Sequence, residues 1–130
     1  MKENLKMLLK NSYTPYSKHA AACIVKMQSG QEYIGVNVEN ASFKSGLCAE
    51  QVAIASAFAE GEQKGAFAEL HLMSSGKGYA KPCFLCRQLL VEFFEPARKV
   101  FCYNSQGKAQ ELTVGDLCPY AFEKEDGNNA

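Results

Sequence analysis

Apolar residues fall in two rhythms along this chain, one of helical period and one of period two. Asn4 to Leu9 has the helical spacing and predicts a short first helix. The segment Tyr13-Thr14-Pro15-Tyr16 ends it, because proline disfavours helical backbone in the residue before it. Ala20 to Met27 is an apolar run containing Ile24 and Val25, a predicted strand, and Ser29-Gly30 reads as a turn. Glu32 to Glu39 alternates, with Ile34, Val36 and Val38 on one face and Gly35, Asn37 and Glu39 on the other. That period makes it a strand, paired with the previous one as a hairpin.

Cys48 to Glu60 is apolar nearly all round, the pattern of a buried helix, with Gly61 and Gly65 near its end. Glu69 to Ser74 predicts a strand and Gly76-Lys77-Gly78 a loop. Cys83 to Phe94 predicts a helix with Leu85, Leu89, Leu90 and Phe93 turned to the core, and Pro96 follows its end. Lys99 to Tyr103 reads as a strand, Ser105-Gln106-Gly107 as a turn, and Thr113 to Leu117 as a short last helix. Helices alternating with strands in the second half predict an α/β fold, a mixed sheet covered on both faces.

The chain has 130 residues, one domain's length spanning 1–130, with no repeat or internal linker and a polar tail over about 123–130. It is 47% hydrophobic and 22% charged, enough to bury a real core without disulfides. Its 14 basic and 14 acidic residues cancel, and no Lys/Arg block stands out. This lacks the electrostatic footprint of a nucleic-acid binder and favours a small substrate over a polymer. Lys6 and Lys10 interrupt the apolar residues of the first ten, so no secretory signal is expected, and no run is long enough to span a membrane. The expected compartment is the cytoplasm, where cysteines stay reduced. There, six cysteines favour metal or catalytic roles over bridges.

Cys83-Phe84-Leu85-Cys86 is a CxxC pair at a helix start. Residues three apart share a helix face, and the helix N-terminus favours thiolates, so both sulfurs can converge on one ion. Cys48 heads the other predicted buried helix. Three thiolates leave a fourth position for water, the arrangement of catalytic rather than structural zinc. Taken alone, the pair reads equally well as two buried cysteines or as half of a structural site. Cys23 and Cys102 sit in apolar strands as core residues, and Cys118, before Pro119, is a weaker candidate for a fourth ligand.

The surroundings of these cysteines are more specific. Cys48-Ala49-Glu50 places a carboxylate two residues after one ligand, and Pro82 precedes the CxxC pair. C-x-E followed by P-C-x-x-C is the pattern of zinc deaminases. Nearly the whole chain resembles the small, homotetrameric cytidine deaminases. The resemblance is carried by Pro15-Tyr-Ser-Lys18, Asn37-Val-Glu-Asn-Ala41, Cys48-Ala-Glu50, Pro82-Cys83 with Cys86-Arg-Gln88, and Pro119-Tyr-Ala-Phe122, in that order. It implies a three-layer α/β/α fold with a mixed, roughly five-stranded sheet and one Zn²⁺ per chain on Cys48, Cys83 and Cys86. The implied activity is hydrolysis of free cytidine or deoxycytidine to the uridine product and ammonia, in pyrimidine salvage.

The chemistry needs a water nucleophile activated at neutral pH, which a metal at the three sulfurs supplies. Glu50 is the expected proton carrier, from water to pyrimidine N3 and then to the leaving amine. An acid in a helix's first turn is also favoured by the macrodipole, but that does not explain its place beside a ligand. The resemblance further implies that Asn37 and Glu39 contact the ribose 3′-OH and that the Ala49 N–H binds the pyrimidine carbonyl. It also implies that Phe122 closes over a neighbouring subunit's site, although core packing explains an aromatic there equally well.

Two positions depart from the family. His19 stands where a Phe near the base is usual, and Gln51 where an Arg usually follows Cys-Ala-Glu. Three thiolates with Zn²⁺ sum to net −1; an Arg would offset this, whereas Gln51 is expected only to donate neutral hydrogen bonds, leaving a less acidic water, with Arg87 as partial compensation. His71 is assigned no role. Two other readings stay open. One is a blasticidin S-type or other aminopyrimidine deaminase on the same scaffold. The other is a non-enzymatic zinc-binding module, which requires a fourth protein ligand.

Overall fold

In the computed structural model, which describes residues 1–124, the elements run α1 (Lys2–Leu9), β1 (Ala21–Met27), β2 (Glu32–Val36), α2 (Ala49–Ala59), β3 (Phe67–Ser74), α3 (Phe84–Phe93), β4 (Lys99–Tyr103), β5 (Ala109–Thr113) and α4 (Val114–Leu117). The tail expected at 123–130 lies mostly outside the described residues. The five strands form one mixed sheet in the order β2-β1-β3-β4-β5. β1 is antiparallel to β2 and β3, β3 and β4 are parallel, and β4 and β5 are antiparallel.

The register lines side chains into rows across the sheet. One row runs Gly35, Cys23, Leu72, Cys102, Gln110, and its neighbour runs Ile34, Ile24, His71, Phe101, Glu111 on the opposite face. Cys23, Val25, Met27, Leu70, Leu72, Val100 and Cys102 belong to the main core with Ala49, Ala53 and Ala57 of α2 and Leu90 of α3. Ala22, Ile24 and Met73, alternating with these along the strands, join Leu5 of α1 in a smaller core on the other face. The sheet is thus flanked by helices on both sides, thickly on one and thinly on the other. Cys23 and Cys102 are core residues, as their apolar surroundings predict.

Four departures from the sequence reading have physical causes. β5 was not among the predicted strands: Ala-Gln-Glu-Leu-Thr is mostly polar, which an edge strand tolerates because one side faces solvent. β2 ends at Val36 instead of Glu39. Val38 leaves the sheet and bridges instead to Tyr13 and Leu47. α2 is not buried on every side, since Ala55, Phe58 and Ala59 are exposed while Ala49, Ala53 and Ala57 face the sheet. Leu85 is 65% exposed beside Phe84 in the first turn of α3, and the core side of that helix is carried by Cys86 and Leu90.

α2 lies unusually close to β2. A Cβ added at Gly35 would stand 2.3 Å from the Ala49 carbonyl oxygen and 2.4 Å from the Ala53 nitrogen. Glycine is the one residue that admits a helix backbone at that distance. This sets how deep the first turn of α2, and so Cys48 and Glu50, sits against the sheet.

Candidate active site

The N-termini of α2 and α3 meet above the main-core face of the sheet. Cys48 is the N-cap of α2, Cys83 is the N-cap of α3, and Cys86 lies in the first turn of α3. Their sulfurs all lie within 4.8 Å of one another, the one group of this kind among the described residues able to hold a metal ion. Three soft thiolate donors gathered at two helix N-termini fit Zn²⁺. Cys118 lies outside the cluster, at the end of α4, so it supplies no fourth ligand here. The Cys86 thiol hydrogen-bonds to the Cys48 sulfur and draws its pKa down to about 7, while that of Cys86 itself rises.

Glu50, on the first turn of α2, is 5% exposed. Burial raises its pKa. With Cys48, Cys83 and Ala49 it lines a cavity of about 420 Å³ whose floor includes Leu72 and Ser74 of β3 and whose rim includes His19, Asn37, Tyr79 and Lys81. Ala49 is the first residue of α2, so its N–H has no partner within the helix. The cavity therefore unites the sulfur cluster, a buried carboxyl, an unpaired helix-start amide and two further expected residues, Asn37 and His19.

Glu39 is placed differently. It lines a neighbouring groove of about 800 Å³, with Phe43, Leu47 and Leu85, which shares Asn37, Cys48 and Cys83 with the cavity. Its Oε1 accepts from the Tyr16 and Ser17 amides, each at 3.1 Å, and its Oε2 accepts from the Ser17 hydroxyl. The Ser17 hydroxyl and amide, with the Tyr16 amide, hold its carboxyl below the usual range. Asn37 is also engaged. Its Nδ2 donates to the His19 carbonyl at 2.9 Å and its Oδ1 accepts from the Ala21 amide at 2.9 Å.

Phe122 does not line the cavity and does not pack in the core. It is 62% exposed, and its main chain is held by the Gln88 side chain. Gln51 does not act as the donor expected of it: its Oε1 accepts from the Cys48 amide at 2.8 Å, closing a capping box at the start of α2. Arg87 donates through Nε to the Pro82 carbonyl at 2.7 Å and through a guanidinium nitrogen to the Leu117 carbonyl at 3.2 Å, fixing the corner before Cys83. The sequence reading missed the roles of Ser17, Gln51 as a cap, and Arg87 as a brace; Ser17 and Arg87 lay inside the matched blocks and were signalled only by that.

The sequence matches the family described as the cytidine and deoxycytidylate deaminase zinc-binding region over residues 1–104. It is 34% identical to a cytidine deaminase of Mycoplasma genitalium over 122 residues, 94% of this chain and 92% of that protein. It is 36% identical to one of Halalkalibacterium halodurans over 118 residues, 91% of this chain and 88% of the relative. The fold matches the crystal structure of cytidine deaminase from Burkholderia pseudomallei with a TM-score of 0.87 and 36% identity, over 92% of this chain and 94% of that one. With three cysteines gathered at two helix starts and a buried glutamate beside them, the chain belongs to the cytidine and deoxycytidylate deaminase family.

Proposed function

We propose that this protein is a zinc-dependent deaminase that hydrolyses free cytidine and deoxycytidine to uridine and deoxyuridine with release of ammonia, within one domain. The observation that carries the reading is Glu50, buried beside the three-sulfur cluster at the wall of a cavity that opens to solvent. Cys48, Cys83 and Cys86 would hold the Zn²⁺, which when bound supplies a Lewis acid that makes water a nucleophile at neutral pH.

The chain's own residues do the rest. Glu50, with a carboxyl that burial makes readier to keep a proton, takes one from the attacking water and gives it to N3 of the pyrimidine, then takes the remaining proton of the new C4 hydroxyl and gives that to the departing amine. The free Ala49 N–H receives the pyrimidine carbonyl and sets the ring against Glu50. His19 borders the base on the rim. Asn37 Nδ2 has a second hydrogen and Glu39 Oε2 a further lone pair with which to meet sugar hydroxyls. Zero net charge favours a free nucleoside over a nucleic-acid strand.

The working form is a cytoplasmic homotetramer serving pyrimidine salvage. Phe43, Phe84, Leu85 and Phe122 are each more than half exposed, which a lone chain gains nothing from and an interface between copies would cover. In that assembly Phe122 reaches a neighbouring copy's cavity. No helix among the described residues is long and apolar enough to cross a membrane.

The test is ammonia release from cytidine, deoxycytidine and blasticidin S, with zinc per chain and molecular mass measured on the same preparation. Turnover of the two nucleosides with about one zinc per chain supports the reading. Reaction of blasticidin S alone would transfer the site to a different aminopyrimidine. Full zinc occupancy without turnover would favour a binding module.

A further inference from the structure

The segment from Tyr13 to Ala20 has no regular structure, yet it presents His19 to the cavity. Its path is demanding. Lys18 adopts a φ of 60°, in the left-handed region that side chains rarely enter, and its amide donates to the Thr14 carbonyl at 3.0 Å. A turn of this kind persists only where the surroundings over-determine it. Here they do so through a chain of hydrogen bonds. Glu39 holds the Tyr16 and Ser17 amides and the Ser17 hydroxyl, and that hydroxyl in turn accepts from the His19 amide at 3.0 Å. Asn37 closes the far end by holding the His19 carbonyl and the Ala21 amide. The backbone of His19 is thus gripped on both sides. Its ring rests against the 76–78 loop, where a Cβ at Gly76 would stand 3.2 Å from Cε1.

We propose that Ser17 is a positioning residue for the deaminase site, linking Glu39 to His19, and that Glu39 clamps this turn in addition to meeting the sugar. This rests on the deaminase reading above. If Glu39 worked only by touching the sugar 3′-OH, its removal would not matter to a substrate without that hydroxyl. A clamp matters to both substrates alike, because the wall of the cavity moves whichever substrate enters.

The experiment compares wild type, Ser17→Ala, Ser17→Thr and Glu39→Gln on cytidine and 3′-deoxycytidine, alongside amide hydrogen exchange of the substrate-free protein. For Ser17→Ala we expect kcat/KM to fall about tenfold on both substrates, chiefly through KM, with the Tyr16, Ser17 and His19 amides exchanging about tenfold faster. Leu70 and Val100 amides should be unchanged, which shows the fold intact. Ser17→Thr, retaining the hydroxyl, should restore both readouts. Glu39→Gln should lose activity on both substrates, and more on cytidine, which also loses its 3′-OH contact. A loss confined to cytidine in either variant overturns the proposal in favour of direct sugar contact. Unaltered kinetics and exchange in Ser17→Ala overturn it outright. A wild type inert toward cytidine would sink the deaminase reading, while the exchange data would still decide the clamp.

Discussion

The two faces of the sheet, built by the same strands, have been put to opposite uses. On the α2–α3 side Gly35, Cys23, Leu72 and Cys102 form one row, and α2 comes down on this face through Ala49, Ala53 and Ala57. On the α1 side the helix packs with Ala22, Ile24, Met73 and Tyr103, His71 and Phe101 continue the Ile24 row, and the next row is Glu32, Lys26, Glu69 and Lys99. His71 is 6% exposed there, stacked on Phe101 with centroids 4.6 Å apart. It is bonded to Glu69 at 3.0 Å and Tyr103 at 2.8 Å. A carboxylate only accepts, so Nε2 carries the proton and Nδ1 receives the Tyr103 hydroxyl. Both faces hold a buried titratable side chain, but Glu50 opens onto a cavity, whereas His71 has both ring nitrogens engaged. The lesson is that burial of an ionisable group marks a reactive site only where space adjoins it.

The sharpest way to break the comparison is Glu50→Gln. It keeps the sulfur cluster and the volume, so zinc content should persist while kcat drops by about 10²- to 10⁴-fold; activity near wild type would remove Glu50 from the reaction. Next is Gly35→Ala. Its Cβ collides with α2 backbone, not with a flexible side chain. We expect a loss of about 3 kcal/mol in urea unfolding, with lowered zinc affinity as Cys48 is pushed outward. Unchanged unfolding would show that α2 stands off the sheet in solution.

His71→Gln tests the other face through pH. Burial lowers the His71 pKa from 6.5 despite the neighbouring Glu69. The unfolded chain therefore binds the proton first as the solution is acidified. The stability owed to neutral His71 is complete above about pH 6.5 and is lost as pH falls below it toward the folded value. Thermal melts of the variant should show a flatter slope over that interval, and an identical slope would contradict this assignment. The smallest effect is expected from Lys99→Ala, which removes an exposed pairing with Glu111 at 3.2 Å. The cost should be at most about 0.5 kcal/mol, and a larger loss would mean that something covers this face in solution.

Legibility in the sequence followed how local each signal is. The thiol pair could be read because i and i+3 are brought together by one turn of helix, and Glu50 because it stands two residues after a ligand in the C-x-E pattern. The hairpin and the central strands announced themselves by alternation and by apolar content. β5 did not, because an edge strand with Gln110 and Glu111 has little apolar pattern to show. Leu85 was misplaced because spacing tells which residues share a face and not whether that face meets the core. Glu39 lies beyond the end of β2, not on the strand face that alternation gives it, and its grip on Ser17 spans 22 positions of chain and leaves no trace in any local pattern. Gln51 was read as an electrostatic vacancy for an arginine, whereas its amide oxygen does work an arginine cannot do, because a guanidinium has no acceptor.

The topology also fixes when the site can come into being. Cys48 stands at the head of the crossover from β2 to β3, and Cys83 and Cys86 at the head of the crossover from β3 to β4. The CxxC pair is complete within one helical turn, so it is available to an ion as soon as α3 forms. The third sulfur joins them from across the chain, in a sheet whose β1–β3 pairing links residues as distant as Ala21 and Ser74, the non-local kind of pairing that forms slowly. Binding of metal by all three sulfurs would therefore require the whole tertiary arrangement, whereas the CxxC pair alone requires only α3.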